Sequence, residues 1–111
     1  MNISTRNIGT ILAIDITGKL DTQTSVLALK EVMKRLESNP DQVLLSLATL
    51  EFVTSAGLLV ILRAAKHVRA YGGKLKVCGA QGTVKEVLEI SGFDSLMDLY
   101  EDEEQAVRFF Q

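Results

Sequence analysis

Hydrophobic and polar residues along this chain switch repeatedly between a period of two and a period near 3.6, and each switch marks the edge of an element. From Ile3 to Thr17 the residues favour extended structure, broken at Asn7, Ile8 and Gly9, where a glycine close to an asparagine signals a turn, so the segment is predicted as a hairpin. Leu12, Ile14 and Ile16 alternate with Ala13, Asp15 and Thr17, the pattern of a strand with one face on a core, and Gly18 ends it. Val26, Leu29, Val32, Met33 and Leu36 then recur at helical spacing behind a cap at Asp21 or Thr22, and Ser38, Asn39 and Pro40 stop that helix. Val43 to Leu47 is a short apolar run, as expected of a central strand covered on both faces.

Helical spacing returns from Leu58 to Tyr71 and is terminated by Gly72 and Gly73. Lys74 to Cys78 reads as a strand. Thr83 with Glu86 forms a capping-box pattern opening a short helix through Val84, Val87 and Leu88 to a stop at Gly92. Leu96 to Tyr100 is a short extended piece, and Asp102 with Gln105 precedes a final helix carrying Ala106, Val107 and Phe110. Strands alternating with helices imply right-handed crossovers, hence one α/β domain over residues 1–111. It should hold a mixed, mostly parallel sheet of roughly four to five strands, an N-terminal hairpin and about four helices.

Composition narrows the function classes. The 111 residues are 47% apolar, enough for one core, with one proline and no tryptophan. Twelve basic and fourteen acidic residues, a net charge of −2, are spread along the chain and form no basic stripe, so no nucleic-acid partner is expected. No apolar run nears the roughly 20 residues that cross a bilayer, and Met1 to Arg6 lacks a secretory pattern, so a cytoplasmic protein without membrane insertion is expected. Cys78 is the only cysteine, which rules out an internal disulfide and a thiolate metal site; neither a metal nor a cofactor is expected.

The chemistry concentrates at Val53, Thr54, Ser55, Ala56 and Gly57, where an extended run gives way to a helix. Ser55 sits at or next to the N-cap, where free N–H groups and the positive end of the helix dipole converge; it is suited either to cap the helix or to carry a phosphate. Ala56 and Gly57 are small and leave the hydroxyl open to an approaching protein. Leu58, Ile61, Leu62, Ala65 and Val68 share one stripe of this helix, while Leu59 falls with Arg63, Lys66, His67 and Ala70 on the opposite side and Val60 near the boundary, so Leu59 and Val60 are expected beside Ser55 as a partner contact. Asp21 belongs to the same edge of the sheet, as a helix cap or a partner contact. No nucleophile elbow, histidine pair or phosphate-binding loop supports an enzyme.

The run Leu45 to Leu58, together with Gly18 to Asp21, Gly72 to Leu75 and Val87 to Phe93, resembles the signature segments of STAS domains, among them the bacterial anti-sigma factor antagonists. That resemblance implies a STAS-type fold and a non-enzymatic role. It also implies that Ser55 is phosphorylated by an anti-sigma factor serine kinase, that the unmodified form binds the kinase, and that a phosphoserine phosphatase resets it. The partner-binding set it implies is Asp21, Thr54, Ser55, Ala56, Gly57, Leu59 and Val60. Two positions depart from the family, which often has aspartate where this chain has Ser46 and Thr54; Thr54 offers a hydrogen bond without the charge, and a second hydroxyl acceptor. The alternative implied by the same resemblance is a non-phosphorylated STAS interaction subunit of a larger assembly such as a lipid ABC transporter.

Overall fold

The computed structural model describes residues 1–110; Gln111, the last residue of the expected domain, lies outside the described residues. The hairpin forms as the turn residues require, with β1 (Asn2–Ile8) antiparallel to β2 (Ile11–Leu20). Then follow α1 (Ser25–Arg35), β3 (Gln42–Ser46), β4 (Leu50–Val53), α2 (Ser55–Ala70), β5 (Lys74–Cys78), α3 (Gly82–Ile90), a single 3₁₀ turn (Phe93–Ser95), β6 (Asp98–Tyr100) and α4 (Glu103–Phe110). The sheet has six strands in the order β1-β2-β3-β5-β6, with β4 pairing separately to the C-terminal end of β2. Every pair except β1 with β2 is parallel. The strand absent from the sequence reading is β4, which has only four residues and no alternation of its own.

Both faces of the sheet are covered. Ile14 and Ile16 of β2 join Leu20, Val32, Leu45, Ile61, Val77 and Leu88 in the main core under α1, α2 and α3. Ile11 and Ala13, pointing the other way, join Leu44, Cys78, Ala106 and Phe110 in a second core under α4. Ala13 is therefore fully buried, where a half-exposed strand was expected, because α4 caps that face. Two further polar side chains go under it. Ser46 is buried against Cys78, whose thiol burial raises to a pKa of about 11. The ammonium of Lys76 reaches the Asp98 carboxylate and the Tyr100 hydroxyl, each at 3.1 Å, and lies over the rings of Tyr100 and Phe110. Outside, Arg6 clips α4 to the hairpin by bonding both Asp15 and Glu103.

Helix ends follow local chemistry where side chains are free to act. The N–H groups of Gly72 and Gly73 bond the carbonyls of Arg69 and Val68, with Gly72 at φ +89°, closing α2 in a Schellman motif. Asp102 accepts the N–H of Gln105 at 2.8 Å, as the sequence pattern before α4 predicts, while Gln105 accepts the N–H of Glu101, one residue ahead of the cap, at 3.1 Å. The pattern before α3 is not used: Thr83 is inside the first turn, its hydroxyl 3.5 Å from the Glu51 carbonyl, and the N-cap is Gln81 without a side-chain bond. In α1 the buried face is rotated from the expected one: Ala28 is buried whereas Val26 is 79% exposed.

One contact seats α2 on the sheet. The Thr54 N–H donates to the Leu20 carbonyl at 3.0 Å, and Gly57 lies so close that a Cβ there would strike the Leu20 carbonyl oxygen and come within 2.8 Å of Leu20 Cγ and Val53 Cγ2. Gly57 therefore serves internal packing, which corrects its expected role in admitting a partner's backbone. Gly57→Ala should lower the unfolding free energy by about 1–3 kcal/mol, because neither carbonyl nor packed side chains can yield without moving the helix. Urea denaturation gives the value, and an unshifted midpoint would contradict the close approach.

Candidate functional site at the start of α2

Ser55 is the first residue of α2 and is exposed. Thr54, in extended geometry at φ −106° and ψ 178°, is the N-cap, so the serine lies next to the cap and is free of that duty. The first helical hydrogen bond runs from the Leu58 N–H to the Thr54 carbonyl at 2.9 Å, which leaves the N–H groups of Ser55, Ala56 and Gly57 ahead of the ladder. No acidic side chain sits in the first turn. The positive end of the longest helix thus reaches the surface at a serine hydroxyl, with nothing of the helix's own to neutralise it.

Thr54 does not perform the capping its position invites. No cap bond forms, and Oγ1 is buried without a hydrogen-bond partner. That overturns its reading as a second phosphate acceptor, because an attacking hydroxyl must be reachable. The backbone explains the burial: the bond from Thr54 N–H to Leu20 draws the residue down against the strand end, and its side chain goes with it.

Asp21 is brought to the same edge. Leu20 pairs with Val53 in the parallel ladder, so Asp21 and Thr54 are the next residues beyond that pair on their two strands. The Asp21 carboxylate accepts the N–H groups of Gln23 and Thr24 at 3.0 and 3.1 Å and the Thr24 hydroxyl at 3.2 Å, which organises a turn ahead of α1; the helix itself starts at Ser25 behind Thr24, later than a cap at Asp21 or Thr22 would place it. The Thr24 N–H, then that of Gln23 and the Thr24 hydroxyl, with the nearby Lys19 charge, hold the carboxyl below its ordinary range. At neutral pH it is a half-buried anion at the same sheet edge as Ser55.

Leu59 is 53% exposed, one turn after Ser55, as the helical stripe predicts. Val60 is not with it: at 3% exposure it belongs to the main core, because α2 is covered along a wider arc than one stripe, with α1 on one side and the strands beneath. Ala56 is half-buried between them. Just before the serine in the chain stand two outward residues, Glu51 and Phe52 of β4, a strand of four residues with no periodicity to reveal it in the sequence. The available signal was Phe52 itself, an aromatic beside an acidic residue in a segment too short to show a period. Thr54→Val, which puts a methyl where the orphan hydroxyl lies, should raise the unfolding free energy by about 1 kcal/mol, whereas Thr54→Ser should not. A valine variant that melts below the native chain would show that the hydroxyl is satisfied.

Residues 2–106 match the family model described as the STAS domain. The anti-sigma F factor antagonist of Paenibacillus polymyxa is 31% identical over 98 residues, covering 87% of this chain and 84% of its own. The crystal structure of an anti-sigma factor antagonist from Mycobacterium paratuberculosis shares the fold with a TM-score of 0.87 at 18% identity, over 96% of this chain and 91% of that one. The Bacillus cell fate determinant SpoIIAA in its phosphorylated form does so with a TM-score of 0.72 at 17% identity, over 99% and 100% of the two chains.

Proposed function

Because this chain belongs to the STAS domain family, we propose that it is an anti-sigma factor antagonist, a partner switch controlled by phosphorylation of Ser55. The observation that carries the reading is the exposed Ser55 hydroxyl at the unneutralised start of α2, in a chain 31% identical to a named anti-sigma F factor antagonist. The unit that acts is the single domain expected over residues 1–111, in the cytoplasm; no helix among the described residues is long and apolar enough to cross a membrane.

The unmodified form binds an anti-sigma factor that is also a serine kinase, and so releases the sigma factor that kinase holds. Ser55 Oγ then attacks the γ-phosphorus of the kinase's ATP, the bond to the bridging oxygen breaks, ADP leaves and the hydroxyl proton passes to a base of the kinase. The phosphate brings about −1.5 to −2 charges to a surface that already carries Asp21 and Glu51. The free N–H groups at the start of α2 hold it in place within the domain. Docking a partner over it requires desolvating that charge beside two carboxylates, which disfavours the complex. A phosphoserine phosphatase, by adding water to the phosphorus, restores the hydroxyl. The chain itself supplies the acceptor and the binding surface, and the catalytic groups belong to its partners.

Incubation with a purified candidate anti-sigma factor serine kinase and ATP should add one phosphate at Ser55 by mass spectrometry and none to Ser55→Ala. Equal labelling of the two would refute the assignment, and no labelling would leave the permanent interaction subunit as the better reading. Leu59→Glu should weaken binding of the unphosphorylated chain to that kinase by about tenfold or more with an unchanged melting temperature, since the residue contributes little to the core.

A further inference from the structure

β4 carries an irregularity beside the site. Gly18 and Lys19 are consecutive in β2, yet their partners in β4 are Leu50 and Phe52, so Glu51 is an extra residue, a bulge on β4. In an unbroken strand with Leu50 inward, Phe52 would point inward and Val53 outward. The bulge resets the alternation: Leu50 and Val53 are buried, and Glu51 and Phe52 both face out. For the isolated domain this is a double loss, an interrupted ladder and an aromatic ring turned from the core to solvent. Phe52 stays 44% exposed just before Ser55, and Leu59 stays 53% exposed just after it. Two large, partly exposed apolar side chains thus stand within four residues of Ser55, one on each side along the chain, and bulges next to functional sites characteristically re-aim a side chain in this way.

The charges around Phe52 say what kind of surface can cover it. Glu51 points outward with it, and Asp21 lies beyond the Leu20–Val53 pair; neither is in an ion pair among the described residues. Lys19, opposite Phe52 in the ladder, is the one ammonium whose field reaches Asp21. Glu51 and Asp21 against Lys19 leave the Phe52 side of this apolar pair acidic, whereas the exposed Arg63 follows Leu59 by one helical turn.

Resting on the partner-switch reading above, we propose that Phe52 is a second apolar anchor for the kinase that docks over Ser55, entering a pocket of that kinase whose rim carries arginine or lysine to meet Glu51 and Asp21. The bulge then has a purpose: it sets an aromatic residue, the type most enriched among interface hot spots, beside the residue whose modification must break the contact. A phosphate on Ser55 lies between the two anchors, so neither can be desolvated without desolvating the phosphate as well.

The test uses the purified kinase that labels Ser55, with ADP bound, and the full unphosphorylated chain in calorimetric titration. Phe52→Ala should weaken binding by about tenfold or more, Phe52→Leu should keep most of the affinity, and circular dichroism and melting temperature should stay as in the native chain. Phe109→Ala, a residue 59% exposed on α4, should leave kinase binding unchanged. Glu51→Lys should slow association, the more so at low salt. Native affinity in Phe52→Ala while Leu59→Glu loses it overturns the anchor and leaves the switch intact. Equal losses in Phe52→Ala and Phe109→Ala, or a Phe52-dependent dimer of the chain alone in sedimentation, also overturn it, the latter assigning the patch to a second copy. If no kinase binds the native chain, the switch reading fails and the anchor with it.

Discussion

The approach of Gly57 to the Leu20 carbonyl is the constraint on which the rest of the site depends. It lets the first turn of α2 lie directly against the end of β2, and the bond from Thr54 N–H to the same carbonyl locks that position. Any side chain at Gly57 would hold the helix off the strand. With the helix down, its open N–H groups emerge at the C-terminal edge of the parallel sheet, where the strands deliver Asp21 level with Thr54, the residue before Ser55. Open α/β sheets place their functional groups at this edge because the parallel strands all end there and the crossovers begin there.

The same constraint explains why the start of α2 is uncapped. A threonine drawn against β2 cannot turn its hydroxyl back over the N–H groups it precedes, so it is left orphaned inside and the helix end is left open outside. Thr54 Oγ1, the one buried side-chain polar atom without a partner among the described residues, and the β4 bulge both lie within a few residues of Ser55, while Asp21 ties its own turn, Asp102 caps α4, and the α4 face is closed by Lys76 and Arg6. An orphaned hydroxyl and an interrupted ladder this close together are the kind of local departure that proteins tolerate at functional or strained sites.

Charge and shape act in sequence in the proposed switch. The small anionic contribution of Asp21 and Glu51 is tolerable to a cationic partner and steers it; a phosphate added between apolar contacts exceeds what the same partner can desolvate. The helix that presents the serine also supplies N–H groups to hold the phosphate, so modification can leave the fold in place and act on the surface alone.

The alternation of Leu12, Ile14 and Ile16, the helical spacing from Leu58 to Val68 and the breakers at Pro40, Gly72 and Gly73 determined by themselves the order of elements apart from β4, the mostly parallel sheet and the position of Ser55 at a helix start, because each depends on contacts within a few residues. Leu59 was legible for the same reason, as a position on a helical wheel. What the tertiary structure alone decided concerns residues whose surroundings come from elsewhere in the chain. Val60 is buried because neighbouring elements cover a wider arc of α2 than one stripe, and Ala13 because α4 returns to cap the second face. Thr83 forsakes a capping box for a strand carbonyl, and Phe52 faces outward because β4 borrows its register from β2. Gly57 looked like room for a partner and is room for Leu20. Periodicity records which side of its own element a residue occupies, but only the assembled neighbours determine whether that side is covered.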